Sequence, residues 1–232
     1  MNCIGIIGAM EEEVACLKEQ MKEVKVTAKA GMEFYQGLLG GKSVVVVRSG
    51  IGKVNAAVCT QILADDFKVD GVINTGIAGS LKNEVDIGDI VLSTDVIQHD
   101  VDARDFGYPK GQIPRMELLA FPADEKLRET AKRVCERVNP QIKVYCGRVA
   151  SGDQFISSHE VKERIKEDFA PYCVEMEGAA IGQCAYLNGI PFLIVRAISD
   201  KADNSATMDY PAFEKQAIAH CVNLTENMVK EL

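Results

Sequence analysis

The sequence predicts an α/β protein with three layers, α/β/α, built on a central mixed β-sheet. Apolar runs of strand length alternate with segments of helical periodicity along the chain. Two of the runs, residues 43–48 and 192–198, are almost continuously apolar, which is typical of strands buried on both faces of a parallel sheet. Two strand-like segments separated by a turn at Gly31 predict an antiparallel hairpin near the start of the chain. The combination of parallel and antiparallel strands makes the predicted sheet mixed.

The first third of the chain supplies five predicted strands and two predicted helices. In chain order the strands lie at 3–7, 24–30, 33–39, 43–48 and 72–74, and the helices at about 10–21 and 53–65. Met10, Val14 and Leu17 recur at helical spacing in the first helix. Gly40 and Gly41 predict a hairpin turn before the fourth strand. A glycine-containing loop is expected at 75–79, directly after the fifth strand.

Predicted strands and helices also alternate in the rest of the chain, apart from one long irregular segment. Predicted strands lie at 88–99, 142–149, 172–174 and 192–198, and predicted helices at about 123–138, 158–168, 177–187 and 210–232. Residues 100–122 contain several glycines and prolines and predict an irregular segment, which at this length is usually functional or disordered. We find no internal repeat or linker, so residues 1–232 are expected to form a single domain.

Composition excludes several classes of protein. The net charge of -8 and the isoelectric point near 5.0 argue against nucleic acid or an anionic membrane surface as the main partner. No apolar run is long enough to span a membrane, and no basic leader precedes the first strand, so we expect a cytoplasmic protein. The eight cysteines are scattered and the three histidines are far apart, which predicts reduced thiols and neither a metal site nor a cofactor.

The strand at 192–198 places candidate chemistry at its C-terminal part and exit. In open α/β sheets, ligands bind outside the carboxyl ends of the strands. Arg196, Ser199 and Asp200 lie at this end of the strand. Asp200 is therefore a candidate proton donor, and the alternative is an aspartate that only caps the following loop or helix.

Two further acidic stretches indicate a site. Residues 11–13 are three glutamates in the first turns of a helix, where the helix dipole favours negative charge. Because successive helical residues point about 100° apart, at most one or two of them face the same pocket. Glu175 and Glu177 precede a helix rich in Gly and Ala, and close packing of that helix does not require two acids. A functional site explains this pair better than a solvated face does.

Four predicted strands end in loops of small or polar residues, at 8–9, 49–52, 75–79 and 151–153. Such loops let a ligand approach backbone N–H groups closely. None of them matches the dinucleotide-binding pattern or the phosphate-binding P-loop. The sequence therefore gives little support to a nucleoside triphosphatase or a dinucleotide-dependent oxidoreductase.

Six motifs occur in order between residue 4 and about residue 228. They are GIIGAMEEE at 5–13, SGIGKV at 49–54, NTGxAG at 74–79, SGDxF at 151–155, VEME at 174–177 and VRAISD at 195–200. Together they resemble the 5′-methylthioadenosine/S-adenosylhomocysteine nucleosidases of the purine nucleoside phosphorylase superfamily. The resemblance implies a nucleoside phosphorylase-like fold and hydrolysis of the N-glycosidic bond of a 5′-thio-substituted adenosine, in methionine salvage and S-adenosylhomocysteine recycling.

The resemblance also implies roles for the acids. Asp200 matches the general acid that protonates adenine at N7, and Ser199 matches the residue that orients it. Glu13, the last glutamate of the triplet, matches the base that activates water. Glu177 matches the residue that holds the ribose hydroxyls, with Glu175 and Met176 alongside it.

Further positions match substrate-binding residues of the family. Phe155 matches the aromatic that stacks on adenine, and Ile156 a backbone contact to the base. Ala9, Ile51 and Met176 match positions around the sugar and its 5′ substituent, Tyr210 falls where the family often has Phe, and Arg196 matches an arginine near the water and Glu177. For Arg196 the alternative is a structural ion pair.

The resemblance implies a homodimer with a shared site. Phe106 and Pro114, in the long irregular segment, match residues that close the alkylthio pocket of a neighbouring subunit; the alternative for both is an ordinary surface loop. One position departs from the family. Ile77 stands where several members have a serine near the ribose, so residue 77 is left out of the predicted catalytic set.

Four alternatives to a thio-adenosine nucleosidase remain at this point. A nucleoside phosphorylase would need a basic anion site, which the loop at 75–79 lacks, and Glu13 would repel phosphate. A relative that cleaves 6-amino-6-deoxyfutalosine at the same site stays open. A non-catalytic adenosine-binding module is disfavoured by the intact set of Glu13, Glu177 and Asp200, and a purely structural protein leaves the acidic clusters unexplained.

Overall fold

The computed structural model describes residues 1–203 and 206–232. Its strands are β1 (Ile4–Gly8), β2 (Lys22–Lys29), β3 (Met32–Leu39), β4 (Lys42–Arg48), β5 (Gly71–Ser80), β6 (Ile90–Gln98), β7 (Phe121–Pro122), β8 (Val144–Ser151), β9 (Cys173–Glu175) and β10 (Phe192–Asp200). Its α-helices are α1 (Glu11–Gln20), α2 (Lys53–Asp66), α3 (Glu125–Val138), α4 (His159–Phe169), α5 (Gly178–Leu187) and α6 (Ala206–Glu231). A single turn of 3₁₀ helix spans Arg104–Phe106.

The strands form one mixed sheet in the order β10-β6-β8-β9-β5-β1-β4-β3-β2, with β7 beside β6. The predicted antiparallel hairpin is confirmed, since β3 pairs antiparallel with both β2 and β4. The β1 strand pairs parallel with β4 and β5, and β10 pairs parallel with β5. Because β10 contacts both β5 and β6, the strands β5, β10, β6, β8 and β9 close into a ring of paired strands. This closure was not predicted from the sequence.

Five of the six α-helices in the described residues pack in two groups. α2 packs on α5, while α1 and α3 both pack on α6. Every residue of β5 and β10 is buried, and for β10 this agrees with its nearly continuous apolar sequence. The predicted α/β/α architecture on a mixed sheet is confirmed. Among the helices in the described part of the chain, none is long and apolar enough to cross a membrane.

The predicted end of the fifth strand at residue 74 is wrong. β5 continues through the glycine-containing stretch to Ser80, because Thr75–Gly79 pairs with β10 and Gly79–Ser80 pairs with β9. The glycines there give space to neighbouring side chains instead of forming a loop. A Cβ atom on Gly76 would lie 2.5 Å from Nη1 of Arg196 and 2.9 Å from Cδ of Glu13. Gly76 therefore lets two charged side chains approach the strand.

Two other strands also run further than predicted at their carboxyl ends. β8 ends at Ser151 and β10 at Asp200, each two residues later than expected. The polar residues at these ends remain paired in the sheet, which fixes their side chains more firmly than a loop would. Phe121–Pro122, predicted as irregular, pairs with β6 as a short strand. The last helix begins at Ala206, earlier than the predicted residue 210.

Candidate active site

A cavity of about 450 Å³ lies at the carboxyl ends of β1, β5, β9 and β10. Its lining comprises Ala9, Met10, Glu13, Ile51, Ile77, Ala78, Gly79, Phe155, Val174, Glu175, Met176, Glu177, Ser199, Asp200 and Tyr210. The lining is mostly apolar with a few acidic groups, as is usual for a small-molecule site. A second groove of about 580 Å³, between α1 and α6, contains neither Glu13 nor Asp200.

Glu13 is the one glutamate of the acidic triplet that turns inward. Its side chain is buried, whereas Glu11 and Glu12 are exposed. Oε2 of Glu13 accepts N–H bonds from Ala9 (2.7 Å) and Met10 (3.0 Å), and Oε1 accepts the N–H of Ile77 from β5 (3.2 Å). Burial raises the pKa of Glu13 above its ordinary value, and the Arg196 charge and these N–H groups oppose the rise. A carboxylate with a raised pKa is suited to accept a proton.

Arg196 lies beneath the floor of the cavity and does not line it. Its Nη2 donates to Oε2 of Glu175 and to Oδ1 of Asn74, and it lies 3.7 Å from Oε2 of Glu177. Asn74 is itself held by a bond from Nδ2 to the carbonyl oxygen of Ile7 (2.9 Å). The guanidinium therefore joins β5, β9 and β10 and compensates the buried acids above it.

Glu175 is saturated with hydrogen bonds. Its carboxylate accepts the hydroxyl of Ser151 and the N–H groups of Glu177 (3.1 Å) and Gly178 (2.8 Å) in addition to Arg196. A carboxylate with that many donors has little remaining capacity for a substrate. Its geometry favours a role in fixing the start of α5 and the orientation of Arg196.

Glu177, by contrast, keeps a free side. Oε1 accepts the N–H of Gly52 from the loop before α2 (2.8 Å), and Oε2 faces Arg196. Burial and the neighbouring charge of Glu175 raise the pKa of Glu177, and Arg196 opposes the rise. The side chain lines the cavity and can accept hydrogen bonds from hydroxyl groups of a ligand.

Asp200 and Ser199 lie on the other side of β5 from Glu13 and line the cavity there. Oδ1 of Asp200 accepts the N–H of Ala202 (2.7 Å), and Oδ2 lies 2.9 Å from the hydroxyl of Ser199. Burial raises the pKa of Asp200, and the two hydrogen bonds oppose the rise. Because β1 and β10 both pair with β5, Glu13 and Asp200 flank the same strand with Ile77, Ala78 and Gly79 between them. The site can thus present a base and an acid to two sides of one ligand.

The rim of the cavity is aromatic and apolar. Phe155 is 52% exposed, and Ile51 is 54% exposed. The ring of Tyr210 meets that of Phe155 edge to face, with centroids 6.0 Å apart. The hydroxyl of Tyr210 donates to Oε1 of Glu214 (2.9 Å). This rim offers flat apolar surface to a ring system and to an apolar substituent.

Besides Arg196 beneath the floor, three predicted binding residues do not line the cavity. Ile156 is buried and packs in a core cluster with Leu81 and Phe169. Phe106 is 83% exposed and Pro114 is exposed, both in the segment between β6 and β7. The structure brings the other predicted substrate-binding side chains together around the cavity, with Arg196 directly below.

Sequence reasoning missed several residues of the site. Ile77, set aside because its side chain cannot donate, lines the cavity and donates its backbone N–H to Glu13. Ser151 and Asn74 hold Glu175 and Arg196 from neighbouring strands. Their position in the quoted motifs was the available signal, but only the strand register shows what they contact.

The phosphorylase superfamily model matches residues 3–230, so the chain is a member of that superfamily. Within it, the 5′-methylthioadenosine/S-adenosylhomocysteine nucleosidase of Staphylococcus aureus (strain JH9) is 44% identical over 230 residues, which is 99% of this chain and 100% of that protein. The chain therefore belongs to the 5′-methylthioadenosine/S-adenosylhomocysteine nucleosidase family.

Solved structures agree with this assignment. The nucleosidase of the same name from Neisseria meningitidis, in complex with methylthio-immucillin-A, has a TM-score of 0.96 at 41% identity, with 100% of both chains covered. The futalosine hydrolase of Helicobacter pylori strain 26695 has a TM-score of 0.94 at 34% identity, covering 100% of this chain and 98% of that chain. The predicted nucleoside phosphorylase-like fold is confirmed.

Proposed function

We propose that this protein hydrolyses the N-glycosidic bond of 5′-methylthioadenosine and S-adenosylhomocysteine, releasing adenine and the corresponding 5-thioribose. The observation that carries the proposal is the placement of Glu13 and Asp200 on either side of β5, both buried and both with raised pKa values, at one apolar cavity. Membership of the nucleosidase family supports the choice of substrate.

The acids divide the reaction between them. Asp200 donates a proton to N7 of adenine as the bond from C1′ to N9 breaks, so that adenine leaves as a neutral base. Ser199 fixes the carboxyl group of Asp200 through Oδ2. Glu13 accepts a proton from the water whose oxygen forms the new bond to C1′. One proton enters from Asp200 and one leaves to Glu13, so the reaction balances without a cofactor.

Glu177 holds the ribose in this scheme. Its carboxylate accepts hydrogen bonds from the ribose hydroxyls and stabilises positive charge that develops on the sugar. Arg196 faces the carboxylate of Glu177, and Glu175 accepts the backbone N–H of Glu177, so the two residues hold Glu177 and the start of α5 in place. Phe155 stacks on adenine, backbone groups of Ile156 contact the base, and Ala9, Ile51, Met176 and Tyr210 surround the sugar and the alkylthio group.

A phosphorylase is the main alternative, because the superfamily model does not distinguish the two reactions. In this site Glu13 occupies the side of the cavity where phosphate would enter. The side chain of Ile77 lines the same cavity and adds apolar surface. An acid next to an apolar wall favours water over a dianion. Futalosine-type substrates are a second candidate, favoured by the similarity to the Helicobacter pylori hydrolase.

One experiment separates these functions. The purified protein is incubated with 5′-methylthioadenosine, S-adenosylhomocysteine or 6-amino-6-deoxyfutalosine, with and without inorganic phosphate, and adenine is measured by chromatography. Adenine release from the thio-nucleosides without phosphate supports the proposal. A strict phosphate requirement, or release from aminofutalosine alone, would contradict it.

We also propose that the protein works in the cytoplasm as a homodimer, with residues 1–232 of each subunit forming one catalytic domain. Phe106 and Pro114 would complete the alkylthio pocket of the neighbouring subunit, and the exposure of both supports this. Next to Ile51 on the rim, α2 exposes Val54 and Val58, which adds an apolar face for a second copy.

Light scattering after size exclusion measures the oligomeric state, and complementation tests the shared site. Asp200→Asn and Phe106→Ala chains, each weak alone, should regain activity when they are co-expressed and mixed dimers are isolated. A monomer, or mixed dimers without recovered activity, would contradict the shared site.

A further inference from the structure

Helix α2 begins without a cap of its own. Its first flanking residue, Gly52, has no side chain and a positive φ of 95°. The N–H of Lys53 instead donates to Oδ1 of Asp153 (2.8 Å), which lies 100 residues later in the loop after β8. Free N–H groups at a helix start are usually satisfied by a neighbouring residue, so this distant cap ties two separate loops together.

Asp100, two residues after the end of β6, completes the connection. Its Oδ2 accepts the N–H of Asp153 (3.0 Å), and its Oδ1 accepts from Nζ of Lys53 (2.6 Å). Lys53 and Asp100 are each only 18% exposed, so their ion pair is partly shielded from solvent. Burial alone would raise the pKa of Asp100, but the hydrogen bonds from Lys53 and Asp153 outweigh it and hold that pKa below its ordinary value. We call Lys53, Asp100 and Asp153 the clasp.

The clasp joins the two loops that form the rim of the cavity. One loop, residues 49–52, carries Ile51, and its Gly52 donates the N–H that holds Glu177 (2.8 Å). The other, residues 152–156, carries Phe155 two positions after Asp153. It rests directly on His99, since a Cβ atom on Gly152 would lie 2.5 Å from Cε1 of that ring. The same three charged residues therefore set the positions of an apolar wall, an aromatic wall and a buried carboxylate.

We propose that the clasp residues Lys53, Asp100 and Asp153 are positioning residues that hold the loop of Ile51 and the loop of Phe155 at the separation that the nucleoside substrate requires. The proposal rests on the proposed function and assigns to it three residues that lie outside the catalytic set. None of the three lines the cavity, so they act through Ile51, Phe155 and Glu177.

The consequence is a selective effect on binding. The clasp makes no contact with Glu13 or Asp200, and Glu177 still faces Arg196 when the clasp is broken, so the acid, the base and the ribose-binding carboxylate are retained once a substrate is bound. Without the clasp, the two rim loops are no longer held in the binding position before the substrate arrives. We therefore expect KM to rise about tenfold while kcat stays within about threefold of the wild-type value.

The test uses single and double variants with a matched control. Asp100→Asn and Lys53→Met each break the ion pair, and Asp66→Asn breaks the equally short Lys29–Asp66 pair (2.6 Å), which is far more exposed. We expect both single variants to raise KM for 5′-methylthioadenosine, the double variant to be no worse than the poorer single one, and Asp66→Asn to behave like wild type. Additive effects in the double variant, or a loss of kcat at unchanged KM, would overturn the proposal.

Hydrogen exchange tests the clasp independently of any activity. In Asp100→Asn, amides of residues 50–53 and 152–156 should exchange at least several-fold faster together, with no change in Asp66→Asn. Unchanged exchange in either segment would overturn the clasp. If the wild-type protein releases no adenine, the proposed function fails and the exchange experiment still decides whether the clasp exists.

Discussion

Arg196 and Glu175 form an ion pair at the floor of the cavity, in which the two side chains are only 1% and 3% exposed. The same guanidinium lies 3.7 Å from Glu177, and its charge opposes the rise that burial causes in the pKa of Glu13. One cation thus compensates the charge of three buried acids. Breaking a buried pair leaves an uncompensated charge, which is far more costly than breaking a surface pair.

Glu175→Gln should therefore lower the stability of the fold. We expect a loss of about 3 kcal/mol in the free energy of unfolding, because Arg196 loses its main partner. The control is Glu11→Gln, which removes the partly exposed bond to Lys18 (2.8 Å) and should cost less than about 1 kcal/mol. Urea unfolding at pH 7 measures both values. Equal losses would show that the buried pair contributes no more to the free energy of unfolding than the exposed pair does.

Glu13→Gln should abolish turnover while retaining the fold. Glutamine keeps the size of the side chain but cannot accept the proton of water, so we expect kcat to fall by about 10²–10⁴-fold. Its exposed neighbour provides the control, since Glu12→Gln should have wild-type kcat. Adenine release measures the rates, and calorimetric titration with a 5′-thio-adenosine analogue should show that the variant still binds. Normal release from Glu13→Gln would mean that another group activates water.

Asp200→Asn should lose activity and gain stability at alkaline pH. Burial raises the pKa of Asp200 in the folded state, so the wild-type protein loses stability as pH rises through that value, and the neutral amide does not. The variant should accordingly have a higher Tm than wild type at pH 8 and a smaller advantage at pH 5. Thermal unfolding at both pH values tests this, with the exposed Asp105→Asn as control. An advantage that grows toward acid pH would contradict the sign.

The pH dependence of kcat/KM should have two limbs. On the acid side, activity falls as Glu13 and Glu177 are protonated, and since both pKa values are raised, the fall should begin above the ordinary glutamate value of about 4.3. On the alkaline side, activity should fall as Asp200 loses the proton that we propose it donates to adenine. A profile that stays flat down to the ordinary glutamate pKa would show that neither buried glutamate must be ionised.

The sequence predicted the layers, the hairpin and most element bounds because apolar periodicity is a local signal. It also predicted that at most one or two glutamates of residues 11–13 face the same pocket, since helical geometry separates the three directions. It could not predict that residues 75–79 remain in β5, because small residues suit both a loop and a strand that charged side chains approach. The pairing of β10 with both β5 and β6 decides this, and that pairing is not local.

The sequence also could not predict contacts between segments that are far apart in the chain. The bond from Gly52 to Glu177 spans 125 residues and that from Lys53 to Asp153 spans 100. No spacing rule connects such residues, and only the closed ring of strands brings them to one edge. The shared dimer site of Phe106 and Pro114 stays a prediction, because it depends on a second chain.

In the proposed reaction, water activated by Glu13 attacks C1′ of a 5′-thio-adenosine. The direct measurement is a reaction with 5′-methylthioadenosine in ¹⁸O-labelled water containing unlabelled phosphate, followed by mass spectrometry of the sugar. We predict free methylthioribose with one ¹⁸O at C1 and no sugar phosphate. Methylthioribose 1-phosphate as the product would contradict hydrolysis by water and assign this site to a phosphorylase.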